Sequence, residues 1–180
     1  MKKKIARSIT DMVKRRIEDS MTRETNKYIL LFIGIVTLFT ISCDNNVIYS
    51  ESYSMKDKMW PLMDIKSFDV QINDTLSLND IFFTIRTGSD YPFRNIFLFV
   101  STHAPDGKNL TDTLEYYLAD DKGVWYGKGF GDVRELKLPY RSNVYFPMKG
   151  KFEFKIQHGM RVEDLKGVYD IVMRVEKTKQ

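Results

Sequence analysis

The sequence predicts an all-β protein, a two-layer antiparallel β-sandwich of about eight strands preceded by a signal peptide. Three observations lead to this fold class. From Asp64 onward, apolar and polar residues alternate with a period of two, as in half-buried strands. Clusters of Gly, Pro, Asn and Asp separate the alternating runs at short intervals. Aromatic and β-branched residues are frequent in these runs, and no long helical pattern interrupts them.

The segment 28–42 has the features of a signal-peptide core that ends in a lipid-acceptor site. Residues 28–41 carry no charge. An apolar run of about 10–14 residues is typical of a signal peptide, whereas a helix that crosses the bilayer needs about 20. Basic residues precede the run, and the small residues Thr40 and Ser42 lead to Cys43, the single cysteine. This pattern resembles the lipobox of bacterial lipoproteins, so we expect a diacylglycerol thioether on Cys43.

A short transmembrane helix is the alternative interpretation of this segment, and it would leave Cys43 as a buried thiol. Either interpretation places the rest of the chain outside the cytoplasm. Lipidation of Cys43 would add several acyl chains, which attach a protein stably, whereas a single chain gives only marginal binding. It would also leave no thiol for a disulfide or a thiolate metal site.

Residues 1–42 form the predicted targeting segment, and residues 1–20 are unusual within it. Their apolar residues have the spacing of an amphipathic basic helix. A signal n-region is much shorter, whereas a start at Met21 gives a leader of ordinary length before Cys43. We therefore interpret 1–20 as lying upstream of the true translation start, with a membrane-surface helix as the alternative.

The positive charge of the chain belongs to the targeting segment. Residues 1–43 hold nine Lys and Arg against four Asp and Glu, whereas residues 44–180 hold 19 against 20. The excess of basic residues therefore leaves with the leader, and the remaining part is close to neutral. A near-neutral surface with interspersed charges predicts no nucleic-acid partner.

The predicted extracytoplasmic part has two segments. Residues 43–62 are predicted as lipid anchor, tether and first strand, and the strand ends at Trp60-Pro61. Residues 63–180 are predicted as the β-sandwich domain, with one helical turn at 160–166. The strands of this domain are predicted at 67–73, 80–86, 96–100, 113–118, 133–138, 144–146, 151–157 and 168–175.

The alternation assigns an inward face to each long strand. Run 96–100 is apolar throughout, which predicts a strand covered on both faces. Pro139 and Pro147 are expected to end the strands before them, because proline cannot donate to a strand ladder. The predicted inward residues are Phe68, Val70, Ile72, Ile81, Phe83, Ile85, Phe152, Phe154 and Ile156.

Enzyme chemistry finds little support among the residues. The sequence contains two histidines, His103 and His158, but no G-x-S-x-G motif that would supply a nucleophilic serine. The spacing typical of zinc ligands is also absent from the sequence. We therefore expect no catalytic residue, no metal and no cofactor. A hydrolase remains as a third hypothesis, in which two of the carboxylates Asp120, Asp121 and Asp132 would share one cleft.

The segment 123–132 is the most distinctive part of the predicted domain. It contains four glycines, a composition that indicates positive φ angles and a backbone held close to another segment. Trp125, Tyr126 and Phe130 are candidates to stack on a sugar or on a partner chain. The alternative that we favour makes Trp125 a core plug, with the glycines letting the chain turn around it.

Two arginines, Arg86 and Arg161, are predicted to have a structural role. Each lies near a predicted strand end, where a guanidinium commonly pairs with a carboxylate. We expect one of them to pair with a buried acid and to close an end of the sandwich.

The order and spacing of short motifs are distinctive from Cys43 to Lys177. The motifs are Ser67-Phe68, Asp74-Thr75, Arg86, Tyr91-Pro92-Phe93-Arg94-Asn95, 112–115, 123–127 with Gly129 and Gly131, Met160-Arg161, Leu165, Gly167 and 174–177. Together with the cysteine leader, they resemble the gliding-motility lipoprotein family of GldH type.

This resemblance implies a lipid-anchored envelope protein that is needed for gliding over surfaces and is linked to the type IX secretion machinery. It implies other envelope motility and secretion proteins as partners, and no catalytic residue or cofactor; we expect the outer membrane as its location. The first hypothesis is therefore a non-enzymatic structural or assembly component. The alternative is an envelope module that binds carbohydrate or peptidoglycan through Trp125, Tyr126 and Phe130.

Overall fold

The computed structural model describes residues 46–179. The predicted targeting segment 1–42 and the predicted lipid acceptor Cys43 lie outside the described residues. Within the described part, no helix has the length and apolar character needed to span a membrane. This part contains one short 3₁₀ turn, Lys56–Lys58, and ten strands. The strands are β1 Val47–Ser54, β2 Met59–Pro61, β3 Lys66–Ile72, β4 Asn79–Thr87, β5 Asn95–His103, β6 Asn109–Tyr117, β7 Arg134–Val144, β8 Gly150–His158, β9 Asp164–Lys166 and β10 Val168–Lys177.

Eight of these strands form two four-stranded sheets that pack face to face. One sheet has the order β1-β10-β4-β7 and the other has the order β3-β8-β5-β6, and all neighbouring strands are antiparallel. The prediction of an all-β, two-layer antiparallel sandwich is therefore confirmed. The remaining strands, β2 and β9, pair with each other as a short ribbon that the sequence analysis did not predict.

The core between the sheets is built from the strand faces that the alternation of apolar and polar residues predicted to point inward. All nine residues predicted to point inward from β3, β4 and β8 are buried. From β10, Ile171, Met173 and Val175 join them without exposed surface. Burying one large apolar side chain contributes about 1.5–3 kcal/mol. This shared core is therefore what holds the two sheets together.

Strand β5 differs from its prediction. Its residues Ile96, Leu98 and Val100 are fully buried, but Phe97 is only partly buried and Phe99 is 39% exposed. The prediction of a strand covered on both faces is wrong. A sandwich has two layers, so the outer face of β5 is left open to solvent.

Two further local predictions are wrong. Strand β7 continues through Pro139 instead of ending before it. Because β7 lies at the edge of its sheet, a proline costs it no bond on the open side, and the pairing with β4 shifts register there. The predicted helical turn at 160–166 is a bend followed by β9, because Leu165 is fully buried opposite Trp60.

The connecting loops lie at two opposite ends of the sandwich, because antiparallel strands return the chain alternately to each end. We call one the N-terminal end; it consists of Asn46 and segments 73–78, 104–108, 145–149 and 178–179. We call the other the aromatic end; it consists of segments 55–65, 88–94, 118–133 and 159–167.

Candidate functional site

The loop 118–133, between β6 and β7, is the longest segment of the aromatic end. Backbone hydrogen bonds fold it back on itself. The Tyr126 N–H donates to the Leu118 carbonyl at 2.9 Å. Lys128 and Glu135 exchange two backbone hydrogen bonds of 3.0 and 2.7 Å. The loop is thereby fixed to both of its ends and extends the ladder at the start of β7.

The four glycines of this loop have two different roles. Gly123 and Gly131 have φ angles of +80° and +64°, a left-handed conformation that glycine adopts without steric cost. Gly127 and Gly129 instead lie against the backbone near the start of β7. A Cβ at Gly127 would stand 2.7 Å from the Glu135 carbonyl oxygen, and one at Gly129 would overlap backbone atoms. Both features that the glycine content indicated, positive φ and close approach, are therefore present.

Trp125 is the inner anchor of the loop. Its ring is partly buried against the core and meets the Tyr91 ring edge-on, with the centroids 6.1 Å apart. Tyr91 is itself buried, and its hydroxyl donates to the Asn95 carbonyl at 2.9 Å. Burial raises the pKa of the Tyr91 phenol. The aromatic packing therefore sets Trp125 against the core with its ring only partly buried, and a contact of Trp125 with a partner stays a prediction.

Tyr126 and Phe130, in contrast, are exposed, Tyr126 by 58% and Phe130 by 94%. Exposed apolar groups gathered in one region of a soluble domain commonly mark an interaction site. Of the three predicted contact residues, these two are accessible to a partner, and the contact itself stays a prediction. Other exposed apolar residues of the same end are Met63, Ile65 and Val124, and Tyr117 lies beside them as the last residue of β6.

A groove at the aromatic end was not predicted from the sequence. It has a volume of about 430 Å³, and its floor is fixed by a hydrogen bond of 2.7 Å from the Gly159 N–H to the Phe97 carbonyl. The single signal for it in the sequence is the unbroken apolar run of β5, whose second apolar face lines the groove instead of being buried. The groove is lined by Phe93, Phe97, Gly159, Met160, Arg161 and Val162.

The three carboxylates of the hydrolase hypothesis make separate contacts. Asp120 accepts two backbone N–H groups of its own loop, both at 2.8 Å. Asp121 forms an exposed ion pair with Arg94, and Asp132 faces the Tyr169 hydroxyl at 3.5 Å. These contacts do not bring two of the carboxylates to a common partner. Among residues 46–179, no group of three or more His, Cys, Asp and Glu side chains is arranged to hold a metal ion.

Arg86 closes one side of the aromatic end. Its Nε donates to Asp170 Oδ1 at 2.8 Å, and its Nη2 lies 2.7 Å from Oδ2, so the pair is bidentate. Asp170 is 5% exposed, and its hydrogen bond raises the pKa of Arg86. The prediction that one arginine pairs with a buried acid is confirmed for Arg86, whereas Arg161 is exposed.

Comparison with known proteins agrees with the motif pattern. The family described as GldH lipoprotein matches residues 47–175. A protein named gliding motility lipoprotein GldH homolog, from Christiangramia forsetii, is 36% identical over 157 residues, covering 83% of this chain and 95% of that protein. The gliding motility lipoprotein GldH of Flavobacterium johnsoniae is 34% identical over 155 residues, covering 82% of this chain and 94% of that protein.

Among solved structures, dimeric latent PorU from Porphyromonas gingivalis is similar to this chain with a TM-score of 0.28 and 10% identity. The match covers 76% of this chain but only 14% of that structure, and a score this low supports no conclusion about fold or function. The family match and the two relatives each cover most of the chain. The chain therefore belongs to the GldH lipoprotein family.

Proposed function

We propose that this chain is a lipid-anchored cell-envelope protein that acts as a non-enzymatic structural or assembly component in gliding motility and the associated type IX secretion. The observation that carries the proposal is the exposed aromatic pair Tyr126 and Phe130 on a loop fixed to the core. The names of the two relatives support the motility role. The separate contacts of Asp120, Asp121 and Asp132 support a role without catalysis. The link to secretion rests on the resemblance of the motifs.

The partner at the aromatic end would be another protein of the envelope. Removing an exposed phenylalanine from water in an interface lowers the free energy of the complex. Aromatic anchors contribute much of the binding energy of known interfaces. The loop is already held by its backbone hydrogen bonds and by Trp125, so little conformational entropy is lost on binding. A preformed aromatic surface of this kind suits an assembly component.

Site-specific photo-crosslinking in a gliding bacterium tests the partner. A crosslinking residue at position 130 is expected to give discrete adducts with other envelope proteins. The matched control is position 108, whose side chain is exposed at the N-terminal end and is expected to give no such adduct. If position 130 yields only the bulk membrane proteins that position 108 yields, the proposed partner surface is wrong.

Membrane attachment would be through the lipid on Cys43, in the outer membrane. Metabolic labelling with a fatty-acid analogue is expected to label the wild-type chain and to fail in Cys43→Ala. Equal labelling of both chains would contradict the lipid anchor. Fractionation of the labelled protein between inner and outer membranes then tests the location.

A cleft beside Tyr126 favours glycan binding as a second candidate. An exposed aromatic face with polar neighbours is the usual arrangement for stacking on a sugar ring. Tyr126→Ala is expected to abolish co-sedimentation with peptidoglycan or polysaccharide and Phe130→Ala to weaken it, whereas Lys108→Ala at the opposite end should leave it unchanged. A wild-type protein that stays in the supernatant with both glycans would remove this candidate. The cleft, of about 480 Å³, is lined by Tyr126, Lys128, Gly129, Glu135, Leu136 and Lys137.

A further inference from the structure

The N-terminal end of the sandwich must lie near the lipid if Cys43 carries one. Only Asp44 and Asn45 separate Cys43 from Asn46, the first described residue. An extended chain spans at most about 3.6 Å per residue, so the Cα atoms of Cys43 and Asn46 are no more than about 11 Å apart. A tether this short leaves the domain little freedom to move away from the bilayer surface.

Asn46 is also tied into the fold. The Lys177 N–H donates to the Asn46 carbonyl at 2.8 Å, and the Thr178 N–H donates to the Leu78 carbonyl at 2.9 Å. Asn46, residues 177–178 and the β3–β4 turn are therefore joined on one surface. This surface surrounds a cleft of about 660 Å³, lined by Asn46, Leu76, Ser77, Leu78, Tyr145, Lys177, Thr178 and Lys179.

Leu76 projects from this surface on a turn that polar contacts hold in place. Asp74 Oδ1 accepts the backbone N–H groups of Leu76 at 2.9 Å and Ser77 at 3.2 Å. Its Oδ2 accepts the Ser77 hydroxyl at 2.5 Å and Lys177 Nζ at 3.2 Å. These hydrogen bonds, led by the one from Ser77, lower the pKa of Asp74. The turn is thus fixed while the Leu76 side chain remains 86% exposed.

The other exposed groups of this end match the chemistry of a lipid headgroup region. Tyr145 and, on the adjoining strand β6, Leu110 are more than half exposed, and tyrosine is enriched at the membrane–water interface. Two of the lysines are neutralised in ion pairs, Lys177 with Asp74 and Lys108 with Asp106. Next to this end, the carboxylate of Asp80 on β4 accepts the backbone N–H of Asn143 on β7 at 2.9 Å. The exposed Lys149 and Lys179 add positive charge to these pairs, and basic side chains near a bilayer are attracted to anionic lipids.

We propose that the N-terminal end is a membrane-contact surface, with Leu76 and Tyr145 at the boundary between headgroups and acyl chains and with Lys149 and Lys179 against anionic headgroups. The proposal rests on the lipidation of Cys43. Each long strand spans about 30 Å, from about 3.3 Å per residue over the nine residues of β5. The contact therefore holds the aromatic end about 30 Å from the bilayer, facing the space where a partner protein would lie.

Labelled thiols in proteoliposomes test the contact. The full chain is reconstituted, as the lipoprotein, in vesicles of phosphatidylethanolamine and phosphatidylglycerol. Single variants Leu76→Cys and Tyr145→Cys carry an environment-sensitive dye, and Phe130→Cys is the matched control at the aromatic end. Because lipidation blocks Cys43, the introduced cysteine is the single reactive thiol. All three sites are exposed, so the variants should unfold like the wild type.

Quenching by a nitroxide lipid at the headgroup depth is expected to be at least about threefold stronger at positions 76 and 145 than at position 130. The double variant Lys149→Glu/Lys179→Glu should reduce the quenching at position 76 in vesicles that contain phosphatidylglycerol. Equal, solvent-like quenching at all three positions in vesicle-bound protein would overturn the proposal. Protein that shows no fatty-acid label on Cys43 would overturn the lipid anchor itself, so the two failures are distinguishable.

Discussion

The two ends of the sandwich are built on the same strands but are stabilised by different interactions. At the N-terminal end, turns of five or six residues connect the strands, and a carboxylate caps the turn that presents Leu76. At the aromatic end, the loop 118–133 is held by aromatic packing of Trp125 and by backbone contacts that glycine permits. Each end therefore contains a turn capped by a carboxylate, Asp74 at one and Asp120 at the other, and the aromatic end adds the packing of Trp125 on Tyr91.

This difference fits the two contacts that we propose. A small, capped turn presents one leucine, a tyrosine and lysines, which suit a surface without defined shape such as a bilayer. A long, packed loop presents several aromatic groups in fixed positions, which suit a surface with defined shape such as a protein.

The largest effect is expected from the aromatic core side chains. Trp60 is fully buried, and its Nε1 donates to the Asp64 carbonyl at 2.8 Å. At the N-terminal end, Phe146 is 5% exposed and packs edge-on against Phe152 with the centroids 5.0 Å apart. Trp60→Ala should lower the free energy of unfolding by about 4–5 kcal/mol and Phe146→Ala by about 3 kcal/mol, measured by chemical denaturation. A larger loss for Phe146→Ala would contradict the idea that the aromatic end depends more on apolar packing.

The second comparison concerns the ion pairs. Arg86→Ala leaves Asp170 buried without its partner and should cost about 1–3 kcal/mol, less than a fully buried pair because the Arg86 side chain is 43% exposed. Lys177→Ala removes the exposed partner of Asp74 and should give no measurable change, because solvent screens that pair. Thermal denaturation of both variants measures the difference. Equal destabilisation would mean that the two pairs are not distinguished by burial.

The third comparison separates the loss of stability caused by close backbone approach at a glycine from the loss caused by a positive φ angle. Gly129→Ala places a Cβ on backbone atoms near the start of β7 and should cost about 1–2 kcal/mol. Gly107→Ala at the N-terminal end meets no neighbour within 4 Å and tests only its φ of +83°, so it should cost about 1 kcal/mol. Hydrogen exchange should become faster across 124–133 in Gly129→Ala alone. Unchanged exchange in that loop would show that the close approach is not needed to hold it.

The smallest effect concerns pH. His158 has no exposed surface, and burial lowers the pKa of its imidazole. The neutral ring therefore contributes stability that is complete above about pH 6.5, the pKa in the unfolded chain, and is lost as the pH falls towards the folded pKa. The free energy of unfolding should decrease from about pH 7 to about pH 5.5, by less than about 1.4 kcal/mol per pH unit.

In His158→Phe this decrease should be flatter, because the titrating ring is gone while an aromatic ring remains beside Trp60. Denaturation curves collected across the pH range measure the slope. An identical slope in the variant would assign the pH dependence to other groups.

The sequence predicted most of the fold because strand alternation depends on local pattern. Alternation placed Phe68, Phe83 and Phe154 in the core, and all three are buried. The errors came where the neighbouring element decides the outcome. Phe99 is exposed because nothing packs on that face, and β7 runs through Pro139 because β7 is at a sheet edge. Neither condition can be read from a single strand.

The candidate site was predictable in composition but not in arrangement. The four glycines and three aromatic residues of 123–132 indicated an unusual loop, and the structure confirms its positive φ angles and close backbone contacts. Which aromatic residue would pack against the core depended on Tyr91, which is far away in the sequence. The groove beside Phe97 and the position of Leu76 at the cleft beside Asn46 likewise depend on segments that meet only after folding.

The sequence by itself determined the apolar run that ends at Cys43, the split of charge after it, the class of fold and the order of motifs that resembles the GldH lipoprotein family. These are properties of composition, period and order along the chain. Only the tertiary structure decided which loops lie at the same end of the sandwich, because the order and direction of the strands determine where each loop is placed. It thereby placed Asn46 with Leu76 at one end and Trp125 with Tyr91 at the other.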